Sequence, residues 1–223
     1  MIDVVPAIIP ESFSDIETAV ARVAGLVDRV QIDITDGKFA PLRTWPYKRT
    51  PDRDFDALLH EDEGLPYWEK VNYELDMMVM EPEEKLEDWI HAGISSAVIH
   101  LESTERIEEA IEKARSFDIE VGLAVNPSTP NEALDQWMEK IDFVQFMGSD
   151  KIGFHGVELD EKVLGKISSL RKKYPESIIG IDIGVNEATA PLLVDAGANR
   201  LVSGSALFDS TDIKSAIDYF KNL

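Results

Sequence analysis

The sequence predicts an α/β protein, a single (β/α)8 TIM barrel spanning residues 1–223. Three observations predict it. Eight short apolar runs alternate with longer helical patterns, the mark of repeated βαβ units and a parallel sheet. Several runs are continuously apolar, as strands buried on both faces are. The length of 223 residues is near that of one barrel and buries a large core unaided.

The apolar runs cover residues 3–9, 29–34, 71–79, 96–100, 120–125, 143–147, 178–183 and 200–202. Periodicity predicts helices over 14–24, 82–90, 107–116, 131–138, 161–173, 188–195 and 213–220. Ala24-Gly25, Ala92-Gly93 and Ala196-Gly197 recur where a helix gives way to a strand, and glycine there takes the left-handed cap conformation. Glu81-Pro82-Glu83-Glu84 places proline and acids in a first turn. Asn126-Pro127-Ser128-Thr129-Pro130 reads as a tight strand-to-helix connection with a capping residue. Only the second crossover, residues 41–66, shows no clear pattern. It holds Arg43, Lys48, Arg49 and Arg53 with Trp45 and Tyr47. It reads as a second anion contact on the active face, as a solvated loop, or as a homo-oligomer contact through the two aromatics.

With no cysteine, disulfides, thiolate metal sites and cysteine nucleophiles are excluded. Met1-Ile2-Asp3 leads into an apolar strand with no basic leader, and no apolar run reaches the length of a membrane span, so a cytoplasmic protein is expected. The net charge of −21 opposes nucleic acid and anionic membranes as partners. It also opposes an anionic substrate, so a phosphate would need local backbone N–H groups or a cation.

In a barrel the polar residues that matter stand at the C-terminal ends of the strands. Alternation puts Gln31, Asp33 and Thr35 on one face, and Glu74, Asp76 and Met78 on another. His100 and Glu102, Met147, Asp182 and Ser203-Gly204-Ser205 end later strands. Asp33, Asp76 and Asp182 would converge at the mouth, where clustered acids call for a cation or a shared proton. The alternative is that they cap turns. Gly153, Gly156, Gly184, Gly204 and Ser205 follow the last three strands, where barrels bind phosphate on backbone amides.

Val30-Gln31-Ile32-Asp33-Ile34-Thr35-Asp36-Gly37-Lys38-Phe39-Ala40-Pro41 resembles the His-x-Asp-x-Met-Asp-Gly-x-Phe-Val-Pro strand of ribulose-phosphate 3-epimerases. Pro6-Ala7-Ile8-Ile9, Asp76-Met77-Met78-Val79, His100-Leu101-Glu102, Asn126-Pro127-Ser128-Thr129-Pro130, Ile181-Asp182-Ile183-Gly184 and Ser203-Gly204-Ser205-Ala206-Leu207-Phe208 resemble that family's other motifs in order. The resemblance implies an isomerase of carbohydrate metabolism. Its substrate would be a small sugar phosphate, ribulose 5-phosphate or xylulose 5-phosphate of the pentose phosphates. Asp33 and Asp182 would be its two acid–base groups, Met78 and Met147 its substrate lining, and the five loop residues its phosphate site. It also implies a divalent metal, Mg, Mn, Zn or Fe.

The resemblance departs at the site. The family holds its metal with two His and two Asp, and the His positions are Gln31 and Asp76 here. Ala7 stands for a serine, Thr35 for a methionine and Ile183 for a glycine, and His155 enters the loop after the sixth strand. One reading is an oxygen-only site of Gln31, Asp33, Asp76 and Asp182 favouring magnesium or manganese. The other is loss of the metal, leaving another sugar-phosphate enzyme or a barrel that binds phosphosugars without turnover. His155 is either a new acid–base group or a surface histidine. The related decarboxylases and synthases use an Asp-x-Lys-x-x-Asp strand. Its positions here are Gln31, Asp33 and Asp36, with no lysine, which disfavours that chemistry.

Overall fold

The computed structural model describes residues 2–154 and 156–223, so His155 lies outside the described residues. Eight parallel strands close in chain order into a barrel: β1 (Asp3–Ile8), β2 (Arg29–Thr35), β3 (Asn72–Met78), β4 (Ser96–His100), β5 (Glu120–Val125), β6 (Phe143–Met147), β7 (Ile178–Asp182) and β8 (Arg200–Ser203). They fall where the apolar runs predict, within a residue or two at each end. Outward-facing residues such as Ile32, Ile34, Leu75, Val144 and Ile181 are fully buried under the helices, which is why the runs read as continuous.

The helices α1 (Phe13–Val23), α4 (Ile107–Ser116), α5 (Lys162–Lys173) and α8 (Ile213–Lys221) each bury one stripe on the barrel, for example Phe13, Ile16, Val20 and Val23 of α1. The Asp15 carboxylate accepts from the backbone N–H of Ser12 at 2.9 Å, fixing the start of α1. The short α6 (Ala190–Ala196) stops at Gly197, whose φ of 115° only glycine adopts freely.

The second crossover holds α2 (Arg53–Leu59), started by Asp52, whose carboxylate accepts from the N–H groups of Asp54 and Phe55. Only Leu58 of this helix is buried, so no apolar period marked it. The same carboxylate accepts from Trp45 Nε1 at 2.9 Å. Trp45 is 2% exposed and stacks among Phe13, Phe55 and Trp89, with ring centroids 5.5–5.7 Å apart. Tyr47 accepts from Trp89 Nε1 at 3.1 Å and packs against the same core. Trp45 is a core residue, while Tyr47 packs against that core and stays partly exposed.

Two predicted helices differ. Residues 82–90 split into a 3₁₀ turn, Pro82–Glu84, and the helix α3 (Leu86–His91). The tighter turn buries the Glu83 carboxylate, where Arg106 at 2.7 Å and Thr104 at 3.0 Å hold it. Residues 131–138 form no α-helix. Successive i→i+3 bonds join Pro130 to Ala133, Glu132 to Asp135 and Leu134 to Trp137. Each residue then rises more than in an α-helix, about 2.0 against 1.5 Å. Leu134, Trp137 and Met138 still reach the barrel wall, at the spacing that read as helical.

The N-terminal end of the barrel is plugged by charge. Glu74 accepts from Arg29 at 2.9 Å, Arg200 at 3.1 Å and Ser96 Oγ at 3.0 Å. Arg200 also binds Asp3 at 2.9 Å and lies 4.4 Å from the Phe143 ring centre. This closes one end and leaves the C-terminal mouth open.

Candidate active site

Alternation along the strands points Gln31 and Asp33 from β2, Asp76 and Met78 from β3, His100 from β4, Gln145 and Met147 from β6 and Asp182 from β7 into the barrel above that plug. The parallel register sets Asp33 beside Asp76, and Met147 beside Asp182. A cavity of about 610 Å³ opens over them. Asp33, Asp182 and Met78 line its floor, and Gly153, Gly156, Gly184, Gly204 and Ser205 its far wall. Gln31, Asp76 and Met147 lie beneath the floor, fully buried and outside the lining. Arg43, Lys48, Arg49 and Arg53 stand outside it as well. No lysine or arginine of the described residues lines the cavity.

Local chemistry explains the wall. Gly184 has φ 76°, and a Cβ there would lie 2.9 Å from the Leu159 backbone, so any side chain would collide. Gly204 leads into the short α7 (Ser205–Phe208), whose first N–H groups lack helical partners, and Ser205 and Ala206 line the cavity. Ile183 keeps a left-handed φ of 72°, which costs a residue with a Cβ about 1–2 kcal/mol. Its side chain packs on the apolar cluster of Met78, Met147 and Ile152, and its N–H donates to Asp182 Oδ1 at 2.7 Å.

Each acid has a different neighbourhood. Asp76 is satisfied at both oxygens, by His100 Nε2 at 2.8 Å and Gln145 Nε2 at 3.0 Å. Burial alone would lower the His100 imidazole, but the Asp76 charge and hydrogen bond raise it. Asp33 accepts from Gln31 Nε2 at 2.8 Å. Burial, then the charges of Asp182 and Asp76, push Asp33 well above the usual carboxylate range. Burial, then Asp76, pushes Asp182 up to about 7, against the opposing N–H of Ile183. Two carboxyls whose ionised forms oppose each other hold a proton between them at neutral pH. Asp36 differs: Lys38 and Phe39 N–H groups bond its Oδ1 and Met80 N–H its Oδ2, so it holds a turn. The turn-holding role falls to Asp36, which was not among the three acids read at the mouth, and Asp33 does not share it.

His100 and Gln145 are the site residues that the sequence reading assigned no role. Gln145 carried a signal, a lone amide in the apolar strand Phe143–Met147. For His100 the signal was a histidine at a strand end facing a third-strand acid.

The four candidate metal positions do not assemble as a cage. Among the described residues no three His, Asp or Glu side chains come together to hold a metal ion. Asp76 already accepts a buried donor at each oxygen, and Gln31 turns its amide nitrogen, not its oxygen, toward Asp33. The residues present do not fit the family's divalent ion.

Known proteins place the fold and the family. The ribulose-phosphate 3-epimerase family matches residues 3–208. Ribulose-phosphate 3-epimerase of Schizosaccharomyces pombe is 30% identical, covering 98% of this chain and 92% of its own. The chloroplastic ribulose-5-phosphate-3-epimerase of Arabidopsis thaliana is 32% identical, covering 97% and 75%. Ribulose-phosphate 3-epimerase of Bacillus subtilis is 29% identical, covering 97% of both chains. Among solved structures, 3-hexulose-6-phosphate synthase from Salmonella typhimurium superposes with a TM-score of 0.71 at 13% identity, over 99% of this chain and 97% of its own. The 3-keto-L-gulonate-6-phosphate decarboxylase from Vibrio cholerae superposes with a TM-score of 0.69 at 14% identity, over 99% and 97%. At such identity these two share the barrel alone. The chain belongs to the ribulose-phosphate 3-epimerase family.

Proposed function

We propose that the protein is a ribulose-phosphate 3-epimerase, an isomerase that interconverts ribulose 5-phosphate and xylulose 5-phosphate. The observation that carries this reading is the pair Asp33 and Asp182. Both are buried, both face one cavity, and the two cannot readily ionise together. One carboxylate takes the proton from carbon 3 of the ketose, and the C–H electron pair moves onto the neighbouring carbonyl as an enediolate. The other, protonated, carboxyl returns its proton to the opposite face of carbon 3, and the electron pair returns with it. Each turnover moves the proton vacancy from one Asp to the other, so the same pair runs the reverse reaction. Gln31 and Gln145 are amide donors fixed beneath the floor, where an N–H can meet developing negative charge. Met78 lines the cavity and Met147 backs it, keeping water from the enediolate.

The phosphate fits the wall of Gly153, Gly156, Gly184, Gly204 and Ser205. Lacking a lysine or arginine, this wall offers backbone N–H groups and the Ser205 hydroxyl. No step in this reading passes through a metal.

Turnover of ribulose 5-phosphate followed by NMR across about pH 5 to 9 tests it. The active pair holds one proton. Below about 7 both carboxyls fill, so the rate falls toward acid. Once the shared proton is lost the rate falls again, giving a bell. A flat profile, or no xylulose 5-phosphate from folded protein, overturns the reading.

A further inference from the structure

We propose that this site works without a resident divalent metal, because its own side chains occupy the positions from which an ion would be held. The inference rests on the epimerase reading and concerns how that site meets its charge. At the two positions where the resemblance has imidazoles, this chain has Gln31 and Asp76. Neither is a simple loss. Asp76 is clamped between β4 and β6, with His100 Nε2 at 2.8 Å on one oxygen and Gln145 Nε2 at 3.0 Å on the other. All three side chains are fully buried, so the clamp is not a solvent-exposed alternative to coordination. Gln31 Nε2 donates to Asp33 Oδ1 at 2.8 Å, and its Oε1 has no partner. An amide that presents N–H to Asp33 turns its oxygen away from that carboxylate. On Asp182, Oδ1 accepts from the Ile183 N–H at 2.7 Å.

Of the eight oxygen and nitrogen atoms on these four side chains, only Asp33 Oδ2, Asp182 Oδ2 and Gln31 Oε1 have no hydrogen bond within the described residues. The carboxylates among them belong to no group of three acids or histidines gathered around one point. Magnesium and manganese want about six oxygens in near-ideal geometry, and zinc wants about four ligands rich in nitrogen. Two free carboxylate oxygens and the Gln31 oxygen would leave at least half of a six-oxygen shell to water and bring zinc no nitrogen. An ion taking Asp76 would compete with His100 Nε2 and Gln145 Nε2, buried donors that already bond both of its oxygens.

The test reads metal directly. Purified protein is assayed for bound metals and titrated calorimetrically with Mn²⁺, and turnover of ribulose 5-phosphate is measured with and without EDTA. Expected are far less than one ion per chain, no saturable heat with Mn²⁺, and turnover unchanged by EDTA. The double variant Gln31→His/Asp76→His restores imidazoles and is expected to bind Mn²⁺ at least about tenfold more tightly. Stoichiometric metal in the wild type, or turnover lost to EDTA and restored by a divalent ion, overturns the inference. If the double variant fails to fold, the wild-type measurements alone decide. Absence of turnover under every condition would sink the epimerase reading instead, while metal content and heat still judge the metal.

Discussion

Asp182→Asn is expected to remove turnover by roughly 10²–10⁴-fold and to make the protein more stable at about pH 8. The two effects have one cause. An aspartate in the unfolded chain titrates near 3.9, and burial with the Asp76 charge raises Asp182 to about 7 in the fold. Between those values the folded state holds a proton that the unfolded state has released. Stability from this group is therefore highest at low pH and declines as pH rises toward about 7. Above that, the wild type bears the full cost of a buried charge, on the order of a few kcal/mol. Asparagine has the same shape, can still accept from the Ile183 N–H, and never ionises. Its melting temperature should exceed the wild type's by roughly 5–10 °C at about pH 8, and the gap should narrow to about a third of that near pH 5. Thermal melts at the two pH values check this. A variant less stable at the higher pH would show that the ionised Asp182 is held by a partner the structure does not contain, which would count against the metal-free site as well.

Arg200→Met is expected to destabilise the protein by about 3–5 kcal/mol, lowering its melting temperature by roughly 6–20 °C. Glu74 has no exposed surface and one of its oxygens has no hydrogen bond even in the wild type. Removing Arg200 leaves its charge to Arg29 alone, and takes a cation from the face of Phe143. Adding Glu74→Gln should recover part of the loss, because the orphaned charge goes with it. The plug lies at the end of the barrel away from the cavity, so the folded variant keeps its turnover. Chemical denaturation of the single and double variants, with assays below the transition, reads both. Independent, additive losses would mean the plug is not one network.

The strands were legible because burial on both faces leaves no choice of residue. Runs such as Ile178–Asp182 and Phe143–Met147 can be little else. The crossovers were legible where a helix buries a full stripe, as α1 does, and not where it buries Leu58 alone, as α2 does. At residues 131–138 the spacing of Leu134, Trp137 and Met138 was right and the helix type wrong, since a tighter coil presents the same three residues. In the site, strand alternation was enough to bring Asp33, Asp182 and Met78 to one cavity. What no local pattern could tell was which side chain answers Asp76. That depends on β4 standing beside β3 and β6 standing across the barrel from it, with His100 and Gln145 separated from Asp76 by 24 and 69 residues.

The most direct test of the account is to run the protein on ribulose 5-phosphate in heavy water and read deuterium at carbon 3 by NMR, beside Asp33→Asn. The account predicts that xylulose 5-phosphate forms with deuterium at carbon 3 in the wild type, and that the folded variant, still binding the sugar phosphate, incorporates none. Product without deuterium at carbon 3, or undiminished incorporation in Asp33→Asn, would contradict the two-carboxyl proton transfer on which the account rests.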